Sequence, residues 1–197
     1  MHKEIHDCLL CHKPLPAQVS WLMFLSRFSQ TICPACEGEF EQAARTDADH
    51  RALYKYNEQM KDYLHRYKFM HDVVLAYVFQ QQLHAALKNE KRIIVPVPMH
   101  PIRLLERTFS PVEELLIAAK ISYKSLLEKT TTDTQSKKTR EERLNTPQLF
   151  QVAGQVKPLH YLVFDDIYTT GTTIEHAKKA LLEAGAISVV SFTLIRG

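Results

Sequence analysis

Three short apolar runs, rich in β-branched residues, predict buried strands along the chain. They are Ile93–Val97, Tyr161–Phe164 and Ser188–Leu194. Segments in which apolar residues recur at helical spacing separate these strands. This alternation is typical of an α/β fold with a mainly parallel sheet and flanking helices. Because right-handed crossovers bring the carboxyl ends of parallel strands to one edge, we expect the ligand site at that edge.

The stretch Leu53–Leu87 contains neither proline nor glycine, and its apolar residues keep helical spacing. The polar segment Glu37–Arg51 before it fits a linker or the start of a helix. We favour a pair of amphipathic helices that pack their tyrosines on the core and leave their lysines in water. The alternative is a surface that stacks the bases of single-stranded DNA and follows its phosphates. The residues concerned are Tyr54, Tyr56, Tyr63, Tyr67 and Tyr77, with Lys55, Lys61, Arg66 and Lys68.

A further helix is predicted to start after residue 110. Ser110 is suited to cap it, Pro111 to occupy its first position, and Glu113 to close a capping box. Leu115 and Leu116 continue its apolar face.

Four cysteines form two C-x-x-C pairs near the start of the chain, Cys8 with Cys11 and Cys33 with Cys36. Two such pairs present four thiolates to one tetrahedral Zn²⁺, and a full thiolate shell indicates a structural site. Two disulfides or free core thiols are the alternatives, but a reducing compartment disfavours disulfides. We therefore predict a zinc ribbon over residues 1–45 and the α/β domain over residues 46–197.

The composition fits a folded cytoplasmic protein. Hydrophobic residues make up 45% and charged residues 24% of the chain, and the net charge of +3 is too small by itself to indicate nucleic-acid binding. Polar residues occupy the place where a signal peptide would have its apolar core. No apolar stretch is long enough for direct membrane insertion.

An anion site is predicted where the strand Tyr161–Phe164 runs into a helix. Two carboxylates, Asp165 and Asp166, come first, and the hydroxyl-rich turn Thr169–Thr173 follows. Backbone N–H groups at a helix N-terminus favour negative charge, and Gly171 lets the backbone approach a phosphate. The carboxylates can accept hydrogen bonds from vicinal diol hydroxyls. The Walker and Rossmann glycine patterns are both absent.

The segment Val163–Thr173 resembles the signature of type I phosphoribosyltransferases. This resemblance implies a type I phosphoribosyltransferase-like fold in which Asp165 and Asp166 hold the ribose hydroxyls at the catalytic site. It implies phosphoribosyl pyrophosphate or ribose 5-phosphate as the ligand, bound with Mg²⁺. The 5-phosphate would be held by Thr169, Thr170, Gly171, Thr172 and Thr173.

The remaining motifs resemble the ComF family over almost the whole chain. They include the cysteine pairs, Leu64–Lys68, Val95–Pro101, Thr134–Ser136 and Arg140–Arg143. The resemblance implies a factor for DNA uptake in naturally transformable bacteria, whose partner is a ComFA-like helicase-type ATPase at the inner face of the membrane. It also implies a pyrophosphate loop at Pro98–Arg103. The pyrophosphate-binding candidates are Met99, His100, Arg103 and Arg107.

Two segments depart from or extend this pattern. Where the family usually has R-G-F-N-Q, this chain has Arg107-Thr108-Phe109-Ser110-Pro111. The polar segment Thr130–Asn145, which the resemblance implies to be a hood loop, would close over a polyphosphate or form a solvated helix. Its cations are also the candidate nucleic-acid contacts: Lys137, Lys138 and Arg140.

Two functions from different classes fit these features. The first is a binding module that holds a phosphoribosyl group, contacts single-stranded DNA and docks on a helicase. The second is an active phosphoribosyltransferase, in which Mg²⁺ and cationic side chains would stabilise the leaving pyrophosphate. Gly197 follows the last predicted strand directly, so we expect no C-terminal hood for an acceptor base. An acceptor pocket would then come from Tyr54–Leu87 or the zinc ribbon, and we favour the binding module.

Overall fold

A four-stranded parallel sheet forms the centre of the computed structural model, which describes residues 5–15, 28–44, 49–130 and 149–197. Its strands are β1 (His50–Lys55), β2 (Ile93–Pro96), β5 (His160–Tyr168) and β6 (Ser188–Arg196), in the spatial order β1-β6-β5-β2. A separate antiparallel pair is formed by β3 (Leu127–Lys129) and β4 (Phe150–Val152). The predicted α/β class with a mainly parallel sheet is confirmed, as are the three predicted strands.

Helices flank the sheet. Within the described ranges they are α1 (Pro34–Gly38), α2 (Glu58–Phe69), α3 (Gln80–Leu87), α4 (Pro101–Arg107), α5 (Pro111–Ala118) and α6 (Thr172–Glu183), with a 3₁₀ helix over Val73–Phe79. Helix α6 ends just before Gly185, whose φ of +104° favours glycine. No helix in these ranges has the length and apolar character that crossing a bilayer requires.

Strand β5 is buried on both faces and divides the core in two. Leu162 and Phe164 pack into the larger core, which includes α2, the 3₁₀ helix and α5, while Tyr161 and Val163 pack into a smaller core under α6. Successive side chains of a strand point to opposite faces, so one continuous apolar run supplies both cores. This burial fixes the direction of the strand and therefore where its carboxyl end lies.

The tyrosines of the middle segment belong mainly to the larger core. Tyr63 and Tyr67 are almost fully buried, and their hydroxyls donate to the carbonyl oxygens of Leu75 (3.3 Å) and Pro111 (2.7 Å). Amphipathic packing, the favoured interpretation, is therefore confirmed for them. The stacking of DNA bases on Tyr54 or Tyr67 is wrong, because both rings are buried. Tyr56 keeps an exposed ring.

Two local predictions need correction. Residues His50–Lys55 form strand β1 rather than a linker and a helix, because they pair in parallel with β6. Asn57 then starts α2, since its side chain accepts a hydrogen bond from the Met60 N–H at 3.0 Å. Helix α5 starts at Pro111 as predicted, but Ser110 makes no capping bond. The Glu113 carboxylate accepts instead from the Ser125 hydroxyl at 2.9 Å, so no capping box forms.

Candidate functional site

A cleft of about 790 Å³ opens at the carboxyl ends of β5 and β2. Strand β5 contributes Asp165 and Asp166, and the segment that follows β2 forms the opposite wall with α4. Parallel strands bring their carboxyl ends to one edge, which is where the sequence predicts the ligand site. The cleft therefore joins the predicted ribose-binding carboxylates to the predicted pyrophosphate-binding segment.

The acidic pair lies within β5 rather than after it. Asp165 and Asp166 are only 8% and 5% exposed. The backbone N–H of Asp166 donates to the Asp165 carboxylate at 2.9 Å, and the Lys68 ammonium group pairs with the Asp166 carboxylate at 2.5 Å. The strand thus presents two carboxylates at the cleft, of which one already holds a cation.

Lys68 is a site residue that the sequence analysis placed in a different role. It was counted with the candidate DNA contacts, but it lies near the end of α2 and reaches the cleft. Its position in the family-like segment Leu64–Lys68 was the only signal of another role. The distance between Lys68 and Asp166 along the sequence does not predict their contact, because that contact joins α2 to β5 across the fold.

The two carboxylates have different electrostatic environments. Burial, and then the neighbouring negative charge of Asp166, raise the pKa of Asp165 above its usual range, and the Lys68 ammonium offsets part of this rise. Asp166 holds Lys68 directly. Asp165 therefore retains a proton more readily than an ordinary aspartate, and a cation bound in the cleft would favour its ionised form.

The four predicted pyrophosphate-binding residues all line the cleft: Met99, His100, Arg103 and Arg107. The predicted loop Pro98–Arg103 is only partly a loop, since α4 begins at Pro101. Among the described residues, neither arginine has a carboxylate partner within salt-bridge distance. The Arg107 guanidinium lies 3.8 Å from the Met99 sulfur instead. Both cations are thus available to an anionic ligand.

His100 carries a buried ring nitrogen for which the described residues supply no partner. Its Nδ1 accepts a hydrogen bond from the Ile102 N–H at 3.2 Å, which puts the proton of the neutral ring on Nε2. That Nε2 atom is buried and has no hydrogen-bond partner in the described part of the chain. Buried polar groups are nearly always satisfied, so an unpaired N–H in the wall of a cleft indicates a ligand acceptor atom.

Thr108 ends α4 in a left-handed conformation, with φ of +67°. The ComF family usually has glycine here, and glycine adopts this conformation without strain, whereas a β-branched residue does so at a cost. The turn after α4 therefore has a conformation here that glycine would adopt without strain.

We expect Thr108→Gly to raise the free energy of unfolding by about 0.5–1 kcal/mol, because relief of strain outweighs the greater freedom of glycine in the unfolded chain. This corresponds to a rise of roughly 1–4 °C in the melting temperature. The control is Thr108→Ala, which removes the same side chain but stays strained. An equal gain from both variants would show that the backbone conformation is not the cause.

The predicted phosphate turn links β5 to α6. Gly171 stands before the first residue of α6 with φ of +79°, and a Cβ there would collide with the Tyr168 hydroxyl. The Thr170 and Thr172 hydroxyls lie 3.0 Å apart. None of the five predicted residues Thr169–Thr173 lines the 790 Å³ cleft. They lie at the end of the same strand as the acidic pair, at the N-terminus of a twelve-residue helix, where the Thr172 N–H donates to the Thr170 hydroxyl at 3.5 Å.

The four cysteines come together as predicted. The Sγ atoms of Cys8, Cys11, Cys33 and Cys36 all lie within 4.8 Å of one another, and none is in a disulfide. The Cys11 and Cys33 sulfurs are 3.7 Å apart. Zn–S bonds of about 2.3 Å at tetrahedral angles place sulfurs about 3.8 Å apart. The cluster therefore fits a metal ion, consistent with structural zinc.

The candidate nucleic-acid contacts fall into three groups. Lys137, Lys138 and Arg140 lie outside the described residues. Arg66 donates to the carbonyl oxygens of Leu9 and Leu10, both at 2.9 Å, so its guanidinium supports the cysteine cluster rather than a DNA surface. Lys55 and Lys61 are exposed and pair with Glu41 and Glu58.

Comparison with known proteins identifies the family. No family model matches the chain. The competence protein ComFC of Streptococcus pneumoniae (strain ATCC BAA-255 / R6) is 35% identical, over 96% of this chain and 99% of the relative. ComFC of Bacillus subtilis (strain 168) is 28% identical, over 100% of this chain and 96% of the relative.

Two solved structures overlap part of the fold. A hypoxanthine phosphoribosyltransferase from Staphylococcus aureus aligns with a TM-score of 0.37 and 14% identity, over 61% of this chain and 62% of that one. A purine phosphoribosyltransferase from Pyrococcus horikoshii Ot3 aligns with a TM-score of 0.37 and 15% identity, over 64% and 83%. The full-length match at 35% identity decides the family. The chain belongs to the ComFC family of competence proteins.

Proposed function

We propose that this chain is a cytoplasmic competence factor that binds a phosphoribosyl ligand in the cleft and acts in DNA uptake. The ligand is phosphoribosyl pyrophosphate or ribose 5-phosphate. The observation that carries this proposal is the cleft itself, in which two buried carboxylates face two arginines without carboxylate partners among the described residues and the unpaired N–H of His100. Such a site suits a molecule that has both a vicinal diol and phosphate groups.

Each part of the site has a distinct role in this proposal. Asp165 and Asp166 accept hydrogen bonds from the ribose hydroxyls. The backbone N–H groups and hydroxyls of Thr169–Thr173 bind the 5-phosphate at the N-terminus of α6. Met99, His100, Arg103 and Arg107 bind the pyrophosphate, with the arginines supplying charge and His100 Nε2 donating to an oxygen. Asp165 and Asp166 could hold Mg²⁺, which would offset the negative charge of the phosphates.

The zinc ribbon and the DNA contacts complete the proposal. One structural zinc ion on the cysteine cluster stabilises the fold near α2, to which Arg66 ties it. Lys137, Lys138 and Arg140 contact single-stranded DNA. A ComFA-like helicase-type ATPase recruits the protein to the inner face of the membrane. The likeness to competence proteins and the basic segment in the sequence support these contacts.

Phosphoribosyl transfer is the second candidate, and the two arginines favour it. Departure of pyrophosphate develops negative charge, and cations held beside that charge lower the barrier. Arg103 and Arg107 lie in the cleft without carboxylate partners in the described part of the chain. Release of pyrophosphate in the presence of an acceptor would distinguish the enzyme from the binding module.

Calorimetry with Mg²⁺ tests the ligand directly. We expect the wild type to bind phosphoribosyl pyrophosphate more tightly than ribose 5-phosphate, since only the former reaches His100 and the arginines. Gly171→Ala, which introduces a Cβ against Tyr168, is expected to weaken both ligands about tenfold or more. His100→Ala should weaken only the pyrophosphate form. Lys179→Ala on the exposed face of α6 is the control. Absence of binding by the wild type at millimolar ligand would contradict the proposal.

A further inference from the structure

The turn between β5 and α6 packs against the ring of Tyr168. Tyr168 is the last residue of β5, and Gly171 precedes the first residue of α6 with φ of +79°. A Cβ at Gly171 would lie 2.8 Å from the Tyr168 Cζ atom and closer still to its hydroxyl oxygen. The backbone of the turn and the phenol ring are thus in direct contact. The ring therefore limits how closely residue 171 can approach β5, and only glycine fits there.

Two side chains hold this ring in place. The His50 and Tyr168 rings have their centroids 4.1 Å apart at an interplanar angle of 31°. The Arg196 guanidinium carbon lies 5.7 Å from the centroid of the Tyr168 ring. Ring stacking and a guanidinium beside an aromatic ring are both stabilising contacts. These contacts restrict the Tyr168 ring to one orientation beside the turn.

His50 is itself fixed within the sheet. It is buried, and its Nδ1 atom lies 3.0 Å from the Ser191 hydroxyl. The Ser191 hydroxyl donates to the Asp49 carbonyl oxygen at 3.1 Å, so its oxygen accepts from the His50 Nδ1–H. The Thr193 hydroxyl lies 3.5 Å from the other ring nitrogen. Because buried polar groups with hydrogen-bond partners are rigid, His50 supports Tyr168 from β1, two strands away from β5.

We propose that Tyr168 is a positioning residue for the phosphate turn Thr169–Thr173 and that His50 acts on the turn through Tyr168. This inference rests on the proposed function, which assigns the turn to the 5-phosphate. Hydroxyls and N–H groups bind a phosphate tightly only when the residues behind them fix their geometry. Neither Tyr168 nor His50 lines the 790 Å³ cleft. Their effect is therefore confined to the affinity for the phosphate on the turn.

Calorimetry with two probes tests this assignment. Ribose 5-phosphate reports on the turn, whereas inorganic pyrophosphate with Mg²⁺ reports on the opposite wall of the cleft. We expect Tyr168→Val to weaken ribose 5-phosphate about tenfold and to leave pyrophosphate within about twofold of the wild type. Valine keeps the strand propensity of the position and removes the ring. Tyr123→Val is the matched control, because Tyr123 is also half-buried but packs against the larger core.

Two double-mutant cycles measure whether these residues act through one another. The penalty of Gly171→Ala for ribose 5-phosphate comes largely from the collision with the Tyr168 ring, so it should fall about threefold or more in the Tyr168→Val background. His50→Ala should weaken ribose 5-phosphate about threefold alone and have no further effect in that background. If Tyr168→Val does not fold, Tyr168→Phe replaces it. Phenylalanine lacks the oxygen nearest to the added Cβ, so it should relieve Gly171→Ala about threefold.

The outcomes distinguish this inference from the proposal on which it rests. Unchanged ribose 5-phosphate binding by Tyr168→Val, an equal loss of pyrophosphate binding, or additivity with Gly171→Ala would overturn the role of Tyr168 and leave the proposed function intact. Additivity with His50→Ala would overturn the role of His50 alone. Failure of the wild type to bind ribose 5-phosphate would overturn both the inference and the proposed function. A loss that is specific to ribose 5-phosphate and non-additive in both cycles establishes the positioning role.

Discussion

Asp166→Asn will destabilise the protein, whereas Asp165→Asn, one residue earlier, will stabilise it. Asp166 is the partner of Lys68, whose side chain is only 18% exposed. Loss of one partner leaves a largely buried charge uncompensated, and we expect a cost of about 2–4 kcal/mol in the free energy of unfolding.

The Asp165→Asn substitution has the opposite effect on stability, because the pKa of Asp165 is raised in the folded state, by burial and then by the charge of Asp166. A raised carboxyl pKa means that the folded state binds more protons than the unfolded state. Stability is therefore lost progressively as the pH rises above about 4, the usual pKa of an unfolded aspartate, because the unfolded state ionises first. Asparagine removes this cost and can still accept the bond from the Asp166 N–H. We expect a gain of about 1–3 kcal/mol at pH 8.

Thermal unfolding between pH 4 and pH 8 measures both effects. The gain from Asp165→Asn should be small at pH 4 and grow toward pH 8, and each kcal/mol corresponds to about 2–4 °C in the melting temperature. Both variants should bind phosphoribosyl ligands more weakly, since each loses a charged acceptor. Melting temperatures that move in the same direction for the two variants would contradict this account of the pair.

Removal of the metal is expected to lower the stability of the whole chain. Cys8 and Cys36 belong to the same core as Tyr63 and Phe79, and the Phe40 and Phe79 rings pack with centroids 4.9 Å apart. Metal binding and folding are coupled in sites of this kind. We expect Cys33→Ser to lose the zinc and to lower the melting temperature by about 10 °C or more.

Metal analysis and unfolding of the same samples test this expectation. The purified wild type should carry one zinc per chain, and chelation should reproduce the effect of Cys33→Ser until zinc, but not Mg²⁺, is added back. His12→Asn is the matched control. It changes the residue beside Cys11 and should keep the zinc, because asparagine tolerates the left-handed backbone of residue 12, whose φ is +58°. Metal-free wild type with full stability would refute the structural role. The boundary at residue 45 stays a prediction.

The parts of the fold that local chemistry determines were predictable from the sequence. The run Tyr161–Phe164 and the turn after it carry both the strand signal and the anion-site signal within a few residues. The cysteine pairs predict the metal site through their own spacing along the chain. Ligand assignments for both sites stay proposals. The four cysteines lie together and Asp165 and Asp166 line the cleft, whereas the turn Thr169–Thr173 is not part of its lining.

The features that the sequence analysis missed depend on contacts between distant segments. Strand β1 contains charged residues and lacks a clear strand pattern, and it becomes a strand because β6 supplies its hydrogen-bonding partner. Lys68 acquires its role from a strand almost one hundred residues later in the chain. Helix α4 has no buried residues, so the spacing of its apolar residues reports no core face. In each case contacts between distant segments decide the structure, and the intrinsic strand or helix propensity of the residues predicts it poorly.

The strand order has a consequence for the synthesis of the protein. Strand β6 is the last along the chain but pairs with both β1 and β5, and the hydrogen bond between His50 and Ser191 spans 141 residues. During translation β1 therefore emerges long before the strand that completes its hydrogen bonding, and the four-stranded sheet is completed only when β6 is free of the ribosome. Such non-local pairing slows folding and leaves strand edges exposed meanwhile. Nascent chains of this protein are thus natural clients for chaperones that shield unpaired strands.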